Sequence, residues 1–281
     1  MIPRSFHYYW TGQEFQYVHY LAVLSLLKST PAARVEVHCE EAPEDNAHWD
    51  RLKQLDPVHV EPVDFDRLIE VAGLAPGDFR PFLRLAKVVH RSDFVRYLVL
   101  ATRGGVYLDF DTLVARDLSP LLNHSILVGY QSPDVLGNDV NGAVLGAAPA
   151  HDVLRLCLQR VRAVPGSLRR FRPDNLRPGL LRKFFLPYLH WCDTGPSLLT
   201  ALSHELHGLR ASICPRTYFH FCDYRRWRTI FESTPLPDDA YVIHYFGKMS
   251  FEFTRSIDEA YVRNEDSLYA CVAKRCLLER G

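Results

Sequence analysis

Short segments in which apolar and polar residues alternate are separated by longer segments in which apolar residues recur every three or four positions. The first pattern predicts β-strands and the second predicts amphipathic helices. Strands are predicted over residues 6–10, 34–39, 58–63, 106–110, 125–130, 142–147 and 240–246. Helices are predicted over residues 13–28, 44–55, 84–103, 151–161, 196–207 and 257–278. This alternation predicts an α/β fold with a Rossmann-like, mostly parallel central sheet flanked by helices.

The composition is that of an ordinary folded chain, and we expect residues 1–281 to form a single domain. The chain is 47% hydrophobic and 23% charged, which excludes a disordered chain, a fibrous repeat and a disulfide scaffold. Its 33 Lys and Arg residues balance 33 Asp and Glu residues. A polycation that binds nucleic acid is therefore not expected.

Signals for membrane insertion or export are missing from the sequence. No run approaches the roughly 18 apolar residues of a membrane span, and the first residues lack the apolar core of a signal peptide. The seven cysteines are scattered and form no CxxC pair, which predicts reduced thiols. We expect a cytoplasmic protein whose membrane contact, where there is any, is peripheral.

One segment departs from this even charge distribution. Residues 155–183 contain nine Arg and Lys residues against Asp174 alone. Two interpretations stay open: a solvated surface loop, or a patch that docks an anionic acceptor or a membrane surface. The wider range 155–190 is therefore treated as a possible basic insertion on the acceptor side.

The strongest local signal is the segment GGVYLDFD at residues 104–111. An apolar strand ends there in two carboxylates, Asp109 and Asp111, and strand alternation would place both on one face. The carboxyl end of a strand faces the crevice in which open α/β sheets bind ligands. A hard divalent cation removes the repulsion between the two carboxylates. The pair therefore predicts a metal site.

Two chemistries fit such a strand. One is the binding of a nucleotide sugar through a metal-bridged diphosphate. The other is a phosphatase of the haloacid-dehalogenase type, with Asp109 as nucleophile and Asp111 as general acid. The phosphatase motif normally opens its fold, whereas here more than 100 residues precede it. A protein that binds a sugar nucleotide or a glycan without catalysis is a third alternative.

The preceding helix carries a further charged pair. Asp93 and Arg96 are three residues apart and so share one helix face. That helix ends at Gly104 and Gly105, directly before the Asp-x-Asp strand. The pair is therefore expected beside the two carboxylates.

The whole segment SDFVRYLVLATRGGVYLDFD resembles the signature of the DXD-type sugar transferases, a family similar to glycosyltransferase family 32. The family includes initiating mannosyltransferases, α-1,4-galactosyltransferases and the glucosylating domains of clostridial toxins. Four other segments resemble this family in the same order along residues 2–251. They are IPRSFHYYWTG, NDVNGAVLGAAPAHDVL, DTGPSLLTAL and YVIHYFGKMSF.

The resemblance implies a GT-A fold, a nucleotide-sugar donor, a Mn²⁺ or Mg²⁺ cofactor and retention of the anomeric configuration. The resemblance to the toxins and galactosyltransferases suggests a UDP-sugar as the donor, and a GDP-sugar stays open through the mannosyltransferases. The acceptor, a glycan, a lipid-linked saccharide or a protein, is not specified by the sequence.

The resemblance also assigns roles to individual residues. Asp109 is expected to contact the donor, and Asp109, Asp111 and His244 are expected to bind the metal. The remaining donor contacts are expected from Trp10 on the base, Asp93 and Arg96 on the sugar, and Lys248 on the diphosphate.

Two further positions keep an alternative. Asn141 follows a turn, so it is either a turn residue or a donor contact. Asp193, before Thr194-Gly195-Pro196, is either a helix N-cap or a polar group on the reacting face. With Asp109 and Asp111 it completes the predicted catalytic set.

Overall fold

Nine strands occur in the computed structural model, which describes residues 1–133, 137–168, 189–206 and 212–277. The main sheet has the strand order β3-β2-β1-β4-β7-β6-β8, and β5 pairs with β9 in a small second sheet. The strands are β1 (Ser5–Thr11), β2 (Arg34–Glu41), β3 (Val58–Pro62), β4 (Gly105–Leu108), β5 (Thr112–Val114), β6 (Ile126–Tyr130), β7 (Val140–Ala147), β8 (Ile213–Cys214) and β9 (Val242–His244).

The main sheet is mostly parallel, as predicted. Strands β3, β2, β1 and β4 are parallel neighbours, as are β6 and β8, whereas β7 is antiparallel to both β4 and β6. The small sheet of β5 and β9 is antiparallel. The first four strands therefore form the Rossmann-like part.

Helices follow most of the strands along the chain. They are α1 (Tyr17–Ser29), α2 (Ala47–Lys53), α3 (Phe65–Val71), α4 (Pro76–Leu83), α5 (Val88–Arg103), α6 (Asp152–Leu168), α7 (Pro196–Glu205), α8 (Arg216–Phe219), α9 (Gly247–Thr254), α10 (Glu259–Asn264) and α11 (Leu268–Leu277). Two short 3₁₀ helices span Ser119–Asn123 and Trp227–Phe231. None of these described helices combines the length and the apolarity that crossing a bilayer requires.

Two hydrophobic cores lie on opposite faces of the main sheet. Successive side chains of β1 alternate between them, since Phe6 and Tyr8 pack in one and Tyr9 in the other. Helices α1 and α11 contribute to the first core, and α5, α6 and α7 contribute to the second. The flanking of the sheet by helices is confirmed.

Two glycines connect α5 directly to β4. Gly104 has φ 65° and its N–H donates to Leu100 O, which ends the helix. Gly105 has φ 107°, and a Cβ there would collide with Ser5 O on the adjacent strand. Because only glycine fits both positions, the chain passes from the helix into the sheet without a loop.

The Asp-x-Asp segment differs from the prediction in one respect. Strand β4 ends at Leu108, so Asp109, Phe110 and Asp111 form a turn into β5 instead of continuing the strand. The turn is fixed by Thr112 Oγ1, which donates to Asp109 O at 2.7 Å, and by Tyr245 Oη, which donates to Phe110 O at 2.9 Å. Strand alternation is therefore not the reason that the two carboxylates are neighbours.

The predicted terminal helix is also wrong as a single element, because it is divided into α10 and α11. The chain between them is polar, and Ser267 Oγ accepts a hydrogen bond from Ala270 N at 3.2 Å. Such a side-chain acceptor begins a new helix. Helix α11 then packs in the core beside α1.

Candidate functional site

Arg96 joins two carboxylates at the carboxyl end of β4. Its Nη1 lies 2.9 Å from Asp93 Oδ1, and its Nη2 lies 2.9 Å from Asp109 Oδ1. Arg96 and Asp93 are almost fully buried, whereas 28% of the Asp109 side chain is exposed. Arg96 thus holds Asp109 from its buried side, and the exposed part of the Asp109 carboxylate is accessible to a ligand.

The buried end of this cluster is closed by the segment before α7. Thr194 Oγ1 donates to Asp93 Oδ2 at 2.8 Å, and Tyr97 Oη donates to Thr194 O at 2.6 Å. A Cβ on Gly195 would lie 2.8 Å from Asp93 Oδ2. A glycine is therefore required here for the segment to approach the carboxylate. Thr194 was not among the predicted site residues.

Asp111 is held by a second, separate group of partners. Its Oδ2 lies 3.2 Å from His244 Nε2 and accepts a hydrogen bond from Gly247 N at 2.6 Å. The pairing of β5 with β9 sets Thr112 opposite His244, which brings Asp111 beside the imidazole. Two residues predicted from distant parts of the sequence are therefore in contact.

The pKa values of the two carboxylates are shifted in opposite directions. Burial raises the pKa of Asp109 to about 6, against the opposing effect of Arg96, and the Asp111 charge adds to the increase. Burial also disfavours ionised Asp111, but the His244 charge and the hydrogen bonds from His244 and Gly247 outweigh it and lower the pKa of Asp111 to about 2. Burial opposes the protonation of His244, but Asp111 outweighs it and raises the pKa of the imidazole. In the absence of other ligands, Asp111 and His244 form an ion pair.

The residues around Asp111 fit a divalent cation. Asp111 Oδ1 is inaccessible to solvent and has no hydrogen-bond partner within the described part of the chain. An ionised oxygen that is buried without a partner is costly. Carboxylate oxygens and an imidazole nitrogen are a donor set that Mn²⁺ and Mg²⁺ accept. Asp111 and His244 would hold the ion, with Asp109 beside them.

Two further histidines adjoin this pair, and the sequence analysis missed both. His220 Nδ1 lies 3.3 Å from His244 Nδ1, and burial lowers the pKa of His220 well below its ordinary value. Burial also lowers the pKa of His19 to about 4, an effect that the nearby Asp111 charge opposes. The sequence signal was slight, because one lies in an aromatic segment and the other within an apolar helix.

Trp10 lies at the carboxyl end of β1, next to the Asp-x-Asp turn. Its ring packs edge-on against Phe110, with 5.4 Å between the ring centroids, and also contacts Phe15 and His19. The side chain is partly exposed, and its Nε1 donates to Gly12 O at 2.8 Å. The structure therefore places Trp10 beside the site, and stacking on a base stays a prediction.

Asn141 and Lys248 are placed differently from each other. Asn141 Nδ2 donates to Gln131 Oε1 at 2.7 Å, and its Oδ1 accepts from Ala143 N at 2.7 Å, so both ends of the amide have partners within the protein. Lys248 is exposed in the first turn of α9, directly after Gly247. Within the described chain it forms no ion pair, so its ammonium group is available to an anion.

Asp193 does not cap helix α7, so that alternative is wrong. The N-cap residue is Gly195, and the Asp193 carboxylate instead accepts from His190 N at 2.8 Å. Its contacts within the described residues include none with Asp93, Asp109 or Asp111. A catalytic role for Asp193 stays a prediction.

The predicted basic segment is described only in part, since residues 169–188 lie outside the described ranges. The three arginines that are described each have an acidic partner. Arg155 pairs with Asp152 at 3.2 Å, Arg160 with Glu205 at 2.7 Å and Arg162 with Asp78 at 3.2 Å. These three therefore belong to ordinary surface ion pairs.

Residues 21–128 match the family model of the glycosyltransferase sugar-binding region containing the DXD motif. Over these residues the chain is similar to the sugar-binding region of DXD glycosyltransferases. The matched residues include most of α1, all of α5 and the turn with Asp109 and Asp111. The resemblance expected from the sequence is confirmed. Asp109 follows the fourth strand and is held by Arg96, which does not suit the phosphatase alternative.

The chain is also similar to two named relatives. The chain is 26% identical over 259 residues to the lactosylceramide 4-alpha-galactosyltransferase of Rattus norvegicus, an alignment that covers 82% of this chain and 62% of the relative. It is 40% identical over 77 residues to the inositol phosphoceramide mannosyltransferase 3 of Schizosaccharomyces pombe, which covers 27% of this chain and 20% of the relative. The chain therefore spans less than two thirds of the length of either relative.

A solved structure supports the fold. The UDP-bound glycosyltransferase domain from the YGT toxin aligns with a TM-score of 0.52 at 10% identity, over 93% of this chain and 88% of that one. At this identity the likeness concerns the fold alone. The chain has the GT-A fold, as the resemblance implied.

Proposed function

We propose that the protein is a metal-dependent, retaining glycosyltransferase that moves a hexose from a UDP-sugar to a saccharide acceptor. The observation that carries the proposal is that the two carboxylates have different partners. Arg96 holds Asp109, His244 holds Asp111, and Asp111 Oδ1 has no partner within the described residues. A nucleotide-sugar donor would contact both groups, with its sugar near Asp109 and its metal-bound diphosphate near Asp111.

The donor can be assigned in three parts to the surrounding residues. Asp93 and Arg96, buried behind Asp109, would face the sugar, whose hydroxyls suit a charged hydrogen-bonding pair. Lys248, exposed beside Gly247, would approach the diphosphate. Trp10, at the end of β1, would offer its ring to the base. Each end of the Asn141 amide already has one protein partner, and each keeps one further hydrogen-bonding capacity for a donor contact.

The metal, when bound, supplies Lewis-acid stabilisation of the charge that develops on the leaving diphosphate. Asp111 and His244 would hold it, and Lys248 would add a second positive charge. The bond from sugar C1 to the diphosphate oxygen breaks, and a bond from C1 to the acceptor oxygen forms on the same face. The acceptor's proton passes to the departing phosphate oxygen.

An enzymic nucleophile is not assigned in this mechanism. Both oxygens of Asp93 have partners, Arg96 and Thr194, and Asp109 is bound by Arg96. A carboxylate held in this way is positioned to orient the donor more readily than to attack C1. Attack on the face that the diphosphate leaves preserves the anomeric configuration without a covalent intermediate.

For the acceptor we propose a lipid-linked saccharide. The named relatives include a lactosylceramide galactosyltransferase and an inositol phosphoceramide mannosyltransferase, and both names specify a ceramide-based acceptor. We further propose a cytoplasmic location with peripheral membrane contact. The cysteines at positions 39, 157, 214, 222, 271 and 276 form no disulfide bonds, which suits a reducing compartment.

A thermal-shift panel tests the donor assignment. UDP, GDP, CMP and dTDP are added with and without Mn²⁺ to the wild type, to Asp111→Asn and to Asp66→Asn, which changes an exposed carboxylate on α3. A ligand that binds only the folded state raises the melting temperature. We expect a Mn²⁺-dependent shift with UDP in the wild type and Asp66→Asn, and its loss in Asp111→Asn. The absence of any nucleotide shift in the wild type would refute the proposal.

The same sample separates catalysis from binding alone. Wild-type protein that binds UDP and Mn²⁺ is incubated with UDP-hexoses and lactosylceramide in detergent, and released UDP is measured. Release of UDP supports a transferase. Donor binding with no release, by hydrolysis or by transfer, would favour the non-catalytic alternative.

A further inference from the structure

A second cluster of histidines and carboxylates lies on the first three strands, apart from the donor site. His7 on β1 and His38 on β2 are fully buried, with exposed fractions of 0% and 1%. Glu36 on β2 and Glu61 on β3 line the rim, where about a quarter of each side chain is exposed. Arg103, at the end of α5, contacts both glutamates. The function proposed above uses none of these residues.

Hydrogen bonds at the far side of each imidazole determine where its proton lies. His7 Nε2 lies 2.9 Å from Gly104 O, and His38 Nδ1 lies 2.7 Å from Glu61 Oε1. A backbone carbonyl and a carboxylate only accept, so these two nitrogens carry the protons. His7 Nδ1 and His38 Nε2, which face each other at 3.2 Å, are then left with lone pairs in the neutral rings.

Two lone pairs at that distance repel unless a cation lies between or beside them. Glu36 Oε2 lies 3.5 Å from His7 Nδ1, so a third donor atom points at the same place. The cluster also has one more negative than positive charge, since Arg103 compensates only one of the two glutamates. The facing donor atoms and the net negative charge of the cluster therefore both favour a bound cation.

We propose that His7 Nδ1, His38 Nε2 and Glu36 Oε2 bind a zinc-type divalent ion. Tetrahedral zinc with bonds of about 2.0–2.1 Å to nitrogen places neighbouring ligand nitrogens about 3.3 Å apart. The observed 3.2 Å separation matches that spacing. Two nitrogens and one carboxylate oxygen are ligands that such an ion prefers over Ca²⁺ or Mg²⁺. Water would complete the coordination from the partly exposed rim.

The outer contacts have the form found around metal-binding histidines. Such a histidine donates its other N–H to a carboxylate or a backbone carbonyl, which fixes the tautomer and the ring orientation. Glu61 does this for His38, and the Gly104 carbonyl does it for His7. The ion would therefore connect β1 and β2 directly, and β3 and the α5–β4 junction through the outer contacts.

The test is made in the Asp111→Asn background, so that the donor site does not contribute a metal signal. Protein freed of metal by chelation is titrated with Co²⁺, whose visible spectrum distinguishes tetrahedral from octahedral coordination, and then with Zn²⁺ as competitor. We expect one equivalent of tetrahedral Co²⁺ that Zn²⁺ displaces, and a Zn²⁺-dependent rise in melting temperature. His38→Gln should abolish both, and His124→Gln, at an exposed histidine, should keep both.

Glu36→Gln provides a second variant in case His38→Gln does not fold, because Glu36 lies at the rim. It should weaken Co²⁺ binding at least tenfold while the melting temperature without metal changes little. Absence of tetrahedral Co²⁺ binding to the folded protein would overturn the proposal. Equal Co²⁺ binding by His38→Gln and His124→Gln would also overturn it. His7 Nδ1 and His38 Nε2 would then share a proton and bind no metal.

Discussion

Arg96 Nη2 lies 2.9 Å from Asp109 Oδ1, and this ion pair joins helix α5 to the turn after β4. The same guanidinium places Nη1 2.9 Å from Asp93 Oδ1 and lies over the ring of Tyr107, 4.5 Å from its centroid. A planar fork can satisfy two carboxylates at once, which a single ammonium group cannot. The position of Asp109 therefore depends on an arginine in particular.

Arg96→Lys should destabilise the protein and weaken donor binding. One of two carboxylates would lose its partner, at a cost of about 3 kcal/mol, as for one broken side of a buried pair. Urea unfolding at neutral pH measures the loss. Arg263→Lys is the control, because it alters an exposed pair with Glu259 and should cost less than about 1 kcal/mol. Similar losses of unfolding free energy in both variants would show that the buried ion pairs of Arg96 stabilise the protein no more than the exposed pair of Arg263.

Gly247→Ala should weaken metal binding without unfolding the chain. An added Cβ would lie 3.0 Å from Asp111 Cβ and 3.3 Å from Asp111 Oδ2, close enough to displace the carboxylate. We expect the Kd for Mn²⁺ to rise about tenfold, as for other changes around metal ligands. Calorimetric titration measures it. Gly77→Ala in α4 is the control, since a Cβ there meets no atom within 4 Å, and an unchanged Kd in Gly247→Ala would contradict the prediction.

The sequence was sufficient for six of the seven strands of the main sheet and for the main site residues, because these leave local signals, whereas β8 has only two residues. The 3.6-residue period of α5 and the two glycines after it predicted where β4 begins and hence where Asp109 lies. Asp111 was predicted from the Asp-x-Asp pattern and His244 from the resemblance, and the structure brings them within 3.2 Å of each other. The short pairing of β5 with β9, which causes this contact, has only three residues in each strand and no distinct pattern.

Other parts escaped prediction for identifiable reasons. Helices α3 and α4 are short, and α4 carries proline at its start and at Pro81, so neither produces a long amphipathic period. Thr194 and His220 act through contacts with residues far away in the chain, Asp93 and His244. A local sequence pattern does not indicate contacts with residues so far away in the chain. The N-cap alternative for Asp193 was wrong because the helix begins two residues later, at a glycine that must approach Asp93.

The ion pair of Asp111 and His244 should give the metal-free protein a defined pH dependence. The raised pKa of His244 stabilises the fold fully below the ordinary histidine value of about 6.5, and this stability is lost as pH rises through the raised value. The lowered pKa of Asp111 stabilises the fold above about pH 4, and this stability is lost as pH falls toward 2. Between these limits the pair stabilises most.

Melting temperatures in chelator from about pH 5 to about pH 9 test this dependence. The difference between wild type and His244→Gln should be largest at the acidic end and should shrink as pH rises. With excess Mn²⁺ the trend should reverse, because the metal requires neutral His244. A difference that stays constant across the range in chelator would show that the pair is not ionised as described.

His220 should act as a positioning residue for His244. Its lowered pKa keeps it neutral, so its Nδ1 can accept the Nδ1–H of His244 at 3.3 Å and direct His244 Nε2 toward Asp111. His220→Phe keeps a ring but removes this acceptor, and the Kd for Mn²⁺ should rise about tenfold. Its stability without metal should change little, because the substitution also removes Nε2, a buried atom without a partner among the described residues.

The matched control is His204→Phe at an exposed position of α7. A purely structural role for His220 would lower the melting temperature and leave the pH profile of Mn²⁺ binding unchanged. A positioning role shifts that pH profile. Without His220, the Nδ1–H of His244 has lost its acceptor, so the competition between Mn²⁺ and a proton for His244 changes. Equal Kd values and coincident pH profiles for wild type and His220→Phe would exclude the positioning role.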